Sequence, residues 1–331
     1  MSQEKILLIR MLGLGDVTCI GIPALRHFKK EFPQARFSFL TFAAGQEMIR
    51  LAEPDTHVWG LEKDQWPENI IPAMETFLGL AEQIIAEGYT HIVNLDTWFM
   101  PCFLARFLKD AGEPVTGNTM SVSVQSLIDQ FQSQQLKAEY VNDPVSYMQS
   151  SFFSMHRWHT PWWQSSLLPD NGYPEFYLRT CCGFDELEMD WSVDVPADQR
   201  LKKIGKQKKI IALAPQARTA ERSYPFAQAL QGILQDMGYH VWTGFDGKIP
   251  LRQTLMQLKA TDLLVTAPSA PQWLASTVGC PSLVVCGDVD PRTLMPDYAT
   301  DPHDGPIPAE QLAESIHSIF EDEQSEAHQN R

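Results

Sequence analysis

Lys5-Ile-Leu-Leu-Ile-Arg-Met-Leu-Gly-Leu-Gly-Asp-Val-Thr-Cys-Ile-Gly-Ile-Pro-Ala-Leu25 joins a strand, a glycine turn and a helix around one carboxylate, Asp16. Ile6 to Ile9 is an unbroken apolar run of strand length. Gly13 and Gly15 permit a tight turn, and Ile20, Leu25, Phe28 and Phe32 then recur at roughly helical spacing. A carboxylate at a strand-to-helix junction points into the crevice where open α/β sheets bind ligands. Aspartate is equally a good helix N-cap, and the local sequence leaves both roles open.

The alternation continues outward from this stretch. Arg36 to Phe42 reads as a strand, Gln46 to Ala52 as the start of a helix, and Phe77 to Glu87 as a helix ended by Gly88. Thr90 to Asp96 reads as a buried strand with Asp96 at its carboxyl end. Strand, helix and strand at these intervals imply a parallel sheet. From about Phe99 to Pro169 the pattern blurs into aromatic and polar residues, including Met155-His-Arg-Trp-His-Thr-Pro-Trp-Trp163, which we read as insertions and loops. Aromatic faces there could stack on a sugar, although loop packing is the simpler account. A second α/β unit opens with the strand Lys209 to Ala214, the polar loop Pro215-Gln-Ala-Arg-Thr-Ala-Glu-Arg222 and the helix from Tyr224 to Leu234. Strands at Tyr239 to Thr243, Asp262 to Thr266 and Ser282 to Cys286 follow, with helices at Leu251 to Leu258 and Gln272 to Val278.

The expected fold class is therefore α/β, with two Rossmann-like domains facing across a cleft that would hold the site. The boundaries fall at 1–170 for the first domain, 171–205 for a linker and 206–331 for the second, with a disordered acidic tail from Glu321.

Composition narrows the function classes. A chain of 331 residues with 44% hydrophobic content has the size of two domains and apolar residues enough for two cores. The formal charge of −15 argues against a general electrostatic grip on nucleic acid. The densest basic run, Lys202-Lys-Ile-Gly-Lys-Gln-Lys-Lys209, reads as solvated chain before a strand. Six cysteines without metal-type spacing read as reduced thiols, so no metal centre is expected. The opening Met-Ser-Gln-Glu-Lys lacks a signal-peptide pattern and no long apolar span occurs, which points to the cytoplasm.

The stretch Ile6 to Val17, followed by Ile22-Pro-Ala-Leu-Arg and Phe32-Pro-Gln-Ala-Arg, resembles the opening pattern of glycosyltransferase family 9, the ADP-heptose:lipopolysaccharide heptosyltransferases and their relatives. The resemblance extends over most of the chain and implies a GT-B fold. It also implies inverting, metal-independent sugar transfer from a nucleotide sugar, with ADP-heptose one candidate, to a bacterial glycan or glycolipid. In that family the aspartate matching Asp16 is the base for the acceptor hydroxyl. Gly15 and Asp96 fall on the acceptor side. The loop Pro215 to Pro225 resembles the family's phosphate-binding loop, so Arg222, with Arg218 and Thr219 beside it, takes the basic role. A solvent-facing arginine near a helix start is the plainer reading of Arg222. The implied setting is the cytoplasm, with peripheral contact at the inner face of the inner membrane.

The donor motif departs from the family pattern of Asp-Ser-Gly-Pro-Met-His-Leu-Ala. Here it is Pro268-Ser-Ala-Pro-Gln-Trp-Leu-Ala275: Ser269, Pro271, Leu274 and Ala275 match, Pro268 and Trp273 replace an acid and a histidine, and Ser269, Ala270 and Gln272 are the donor-side candidates. The link Gly244-Phe-Asp-Gly-Lys248 is short, and Asp246 is a candidate for a ribose hydroxyl or a plain turn residue. These departures leave open a degenerate GT-B protein acting as a non-catalytic binding or regulatory subunit. A nicotinamide-dependent oxidoreductase fits poorly, because Gly13-Leu-Gly-Asp16 lacks the G-x-G-x-x-G spacing.

Overall fold

The apolar run after Lys5 is a strand buried on both faces, as strands of parallel sheets are. In the computed structural model, which describes residues 3–61, 70–217, 219–302 and 305–329, Ile6, Leu7, Leu8 and Ile9 are all fully buried. The chain divides into two units, Met1–Trp191 and Ser192–Arg331.

Unit 1 runs β1 (Lys5–Ile9), α1 (Leu14–Asp16), a π turn (Val17–Gly21), α2 (Ile22–Glu31), β2 (Arg36–Phe42), α3 (Ala43–Ala52), β3 (His57–Leu61), α4 (Ile70–Glu87), β4 (His91–Asn94), α5 (Phe99–Asp110), β5 (Val115–Met120), α6 (Val124–Gln132), α7 (Pro144–Tyr147), β6 (Met148–Ser150) and α8 (Gly172–Glu175), which continues as a second π turn (Phe176–Cys181). Its sheet order is β3-β2-β1-β4-β5-β6. All neighbours are parallel except β6, which lies antiparallel on β5. The strand order reverses between β1 and β4, where Ile9 pairs with Asn94, and a doubly wound sheet opens its ligand crevice at that reversal.

Unit 2 runs α9 (Gln199–Ile204), β7 (Ile210–Ala214), α10 (Ala227–Asp236), β8 (His240–Trp242), α11 (Leu251–Leu258), β9 (Leu263–Thr266), α12 (Ala270–Thr277), β10 (Ser282–Val284), β11 (Tyr298–Ala299) and α13 (Ala309–Gln329). The order is β11-β10-β9-β7-β8, all parallel, with its reversal between β7 and β9. The core gathers Ile211, Leu213, Leu230, Leu234, Leu263 and Val265 from the sheet and α10.

Three expectations are corrected. The stretch from Phe99 to Pro169 is not all insertion. α5 buries Phe99, Phe103, Leu104 and Leu108, and β5 joins the sheet although Thr116, Gly117, Asn118 and Thr119 give it no apolar run. The 171–205 segment is not a linker, because Phe176, Tyr177 and Leu178 are buried in unit 1 and the chain divides only after Trp191. The acidic tail is helical as far as Gln329, continuing the helix that seats Leu312, Ala313, Ile316 and Phe320 in the core of unit 2. All six cysteines are free and buried, and burial pushes the Cys181 and Cys280 thiols up to about 12. Among the described residues no helix is long and apolar enough to cross a membrane.

Gly117 holds β5 against β4 with φ of 92°, and a Cβ there would lie 2.3 Å from the Asn94 carbonyl oxygen and 2.8 Å from the Phe152 ring. Gly117→Ala is expected to lower stability by about 3 kcal/mol, from positive-φ strain and the clash together. Urea unfolding checks this; an unchanged midpoint would contradict the close approach of β5 to β4.

Candidate functional site

β1 ends in a charge. Arg10 follows the four buried aliphatics directly, and its side chain is only 6% exposed. Its Nη1 donates to the Leu95 carbonyl at 2.9 Å, and its Nη2 donates to Asp16 Oδ2 at 2.7 Å. Asp96 Oδ1 lies 3.9 Å from Nη1. The Tyr177 ring covers the guanidinium, with its centroid 5.9 Å from Cζ. Burial opposes the charge on Arg10, but the fields of Asp16 and Asp96 outweigh it and hold the guanidinium cationic.

The Asp16 side chain makes no helix-capping hydrogen bond. Gly13, at φ of 80°, occupies the N-cap position of α1, and Asp16 has helical angles. Its Oδ2 takes Arg10, its Oδ1 accepts the Tyr173 hydroxyl at 2.6 Å, and the side chain stays 34% exposed. A π turn follows at once, a feature that recurs at functional sites because it re-aims side chains. Cys19, within that turn, lies 3.2 Å from the Tyr173 hydroxyl.

Tyr173 and Tyr177 stand one helical turn apart on the segment formed by α8 and its π turn, each bracing one member of the Arg10–Asp16 pair. Trp158 packs against both rings, at 6.2 and 4.8 Å between centroids. Burial and the charge on Asp16 push the Tyr173 hydroxyl well above its ordinary range, so it stays a proton donor. The Tyr177 hydroxyl donates to Leu95 O at 2.6 Å and accepts from Asn118 Nδ2 at 3.1 Å.

In unit 2, two loops meet at the reversal between β7 and β9. Thr266 Oγ1 lies 2.9 Å from Ala267 O and 3.1 Å from Ala214 O, and Ser269 Oγ lies 3.1 Å from Ala267 O and 3.4 Å from Gln216 O. The first loop is tied by Ser223, whose Oγ accepts from Ala217 N and donates to Thr219 O, each at 2.9 Å. Tyr224 N donates to Pro215 O at 2.8 Å and closes it. Thr219 and Arg222 are left exposed on the loop, and Arg222 has no partner among the described residues. Such a loop, with backbone N–H groups and a free guanidinium, suits an anion.

Comparison with solved structures matches both units together. The family 9 glycosyltransferase of Veillonella parvula aligns with a TM-score of 0.63 at 13% identity, covering 96% of this chain and 97% of that one. The E. coli ADP-heptose LPS heptosyltransferase II aligns at 0.60 and 15%, covering 97% and 99%. The fold is GT-B. A putative UDP-N-acetylglucosamine 2-epimerase from Listeria monocytogenes also aligns, at 0.55 and 12%, covering 98% and 90%. By sequence, no protein-family model and no curated protein matches the chain. GT-B likeness at these identities describes the scaffold, so the chemistry has to be argued from the residues.

Of the residues singled out from sequence, the GT-B scaffold brings Gly15, Asp16 and Asp96 together in unit 1 and Thr219, Arg222, Ser269 and Ala270 near the β7–β9 reversal in unit 2. Arg218 lies outside the described residues. Asp96 is 2% exposed, with Oδ2 accepting from Met11 N at 2.6 Å and Leu12 N at 3.4 Å. It braces the β1–α1 loop and does not face an acceptor. Gln272 is corrected too: it is buried, with Nε2 donating to Leu294 O at 3.2 Å. Asp246 is a turn residue, accepting from Lys248 N and paired with Lys248 Nζ at 2.6 Å. Trp273 is buried in α12. Among the described residues no group of three His, Cys, Asp or Glu side chains is placed to hold a metal ion. Sequence reasoning passed over Arg10, Tyr173, Tyr177 and Ser223. Only Arg10 carried a signal, as a charge at the end of an otherwise apolar strand.

Arg10→Met removes the counter-charge of a buried carboxylate, and the expected loss is about 3 kcal/mol, with Asp96 left among backbone donors alone. Urea unfolding at pH 7 measures it; a loss below about 1 kcal/mol would show that Arg10 does not balance these carboxylates.

Proposed function

We propose that the protein is a glycosyltransferase that moves a sugar from a nucleotide-sugar donor to a hydroxyl of a glycan or glycolipid. The observation that carries this reading is Asp16. It is a partly exposed carboxylate at the sheet reversal of unit 1, held on its inner side by Arg10 and Tyr173. A sugar hydroxyl is a weak nucleophile, and a positioned carboxylate accepting its proton accelerates attack by about 10²- to 10⁴-fold.

The step is a direct displacement. The acceptor O–H bond breaks with its proton going to Asp16, and the acceptor oxygen forms a bond to the anomeric carbon. The bond from that carbon to the diphosphate oxygen breaks, and its electron pair leaves on the nucleoside diphosphate. Attack from the face opposite the leaving group inverts the configuration. In unit 2, Arg222, Thr219, Arg218 and the hydroxyl of Ser269, with the backbone at Ala270, are the groups assigned to the diphosphate, where fixed donors stabilise developing charge. The similarity to an ADP-heptose transferase supports an ADP-sugar as the first donor to try. We place the reaction in the cytoplasm, with the acceptor at the inner face of the membrane.

One observation favours a second reading, a GT-B protein that binds without catalysing. Trp273 and Gln272 are both buried, so α12 offers a donor fewer polar side chains than the family motif supplies.

The two readings separate by release of nucleoside diphosphate from a panel of ADP-, GDP- and UDP-sugars in the presence of deacylated lipopolysaccharide core. The transferase reading predicts turnover of one donor, lowered about 10²- to 10⁴-fold in Asp16→Asn. Binding of a nucleotide without turnover of any donor supports the second reading.

A further inference from the structure

We propose that Tyr173 is a positioning residue for Asp16: it aims the carboxylate through a donated hydrogen bond and takes no part in carrying the acceptor proton away. This rests on the transferase reading above.

The hydrogen bonds have a direction. Tyr173 has one hydroxyl proton, and Asp16 Oδ1, at 2.6 Å, takes it. The 3.2 Å contact with Cys19 is then made by the thiol donating to the tyrosine oxygen. Thiol, phenol and carboxylate therefore form a chain in which every proton points toward Asp16. For a proton to leave Asp16 along this chain, Tyr173 would have to pass its own proton to a thiol that already holds one. Cys19 is fully buried. Burial and the neighbouring carboxylate charge also hold both groups in their protonated forms. Through Cys19 this route leads into the buried interior and away from solvent.

The other side of Asp16 is open, since a third of the side chain meets solvent. Protonated Asp16 returns its proton there, to water. The geometry gives Tyr173 the role of aim. Arg10 on Oδ2 and Tyr173 on Oδ1 fix the carboxylate plane from two directions. Tyr177 sits over Arg10 from the same helical segment, and Trp158 buttresses both tyrosines. A carboxylate gripped at two points keeps its outward lone pairs in one orientation, which is the condition for efficient proton acceptance from a bound hydroxyl.

The test compares Tyr173→Phe and Cys19→Ala with the native chain, using the donor and acceptor that turn over in the panel. Tyr173→Phe is expected to lower kcat about 10- to 100-fold with KM for the donor unchanged. Cys19→Ala is expected to lower kcat by less than about 2-fold. A Cys19→Ala loss as large as that of Tyr173→Phe would make the chain a proton relay and overturn the proposal, as would a Tyr173→Phe variant with unchanged kcat. Failure of the transferase reading itself appears earlier, as no turnover by the native chain. In that event a double-mutant cycle in urea decides the grip: the unfolding free-energy loss of Asp16→Asn with Tyr173→Phe is expected to fall short of the sum of the single losses. Additive losses would overturn it.

Discussion

A guanidinium only 6% exposed, at the end of a strand of fully buried aliphatics, has to be neutralised and hydrogen-bonded where it sits. Arg10 imposes that requirement, and much of unit 1 around the crevice answers to it. Asp16 turns back from α1 to meet Nη2, Leu95 presents its carbonyl to Nη1, Asp96 supplies a second negative field, and Tyr177 closes over the plane. Asp96 in turn accepts from the backbone of Met11 and Leu12 and so fixes the loop that carries Asp16. One buried cation thereby couples the ends of β1 and β4 to the first residues of α1. The carboxylate that faces solvent is the outermost member of this network, which is why it can be both well placed and accessible.

Unit 2 solves its own reversal point by different means. Its two loops are tied by hydroxyls and backbone groups, through Thr266, Ser269 and Ser223. Anion recognition by such loops relies on N–H groups and on charge-assisted hydrogen bonds from an exposed arginine. The contrast fits a division of labour in which proton chemistry needs one precisely held group, whereas holding a diphosphate needs several adaptable donors. Trp273 is buried within α12 and offers that reversal no polar side chain at its surface.

The sheet was largely legible because its strands are continuous apolar runs. Ile6 to Ile9, Ile210 to Ala214 and Leu263 to Val265 could be read directly, and each lies in the core. β5 was not legible, since Thr116, Gly117, Asn118 and Thr119 serve hydrogen bonds and a close approach to β4, so no apolar period survives. The segment from Gly172 to Cys181 reads poorly from sequence, since its proline and its π turn break helical periodicity. Asp16 stood out by its place between strand and helix. Its partner Tyr173 is distant in sequence, and nothing local to either residue announces the pairing. Asp96 and Gln272 show the converse: residues at a promising position whose side chains the fold turns inward.

Direct displacement with Asp16 as the sole base has one stereochemical outcome. The anomeric configuration of the first-formed product, read by proton NMR from a donor of known configuration, measures it. Inversion relative to the donor is the predicted result. Retention would contradict the account, because it requires a second displacement or a front-face path in which Asp16 does not act as the base described.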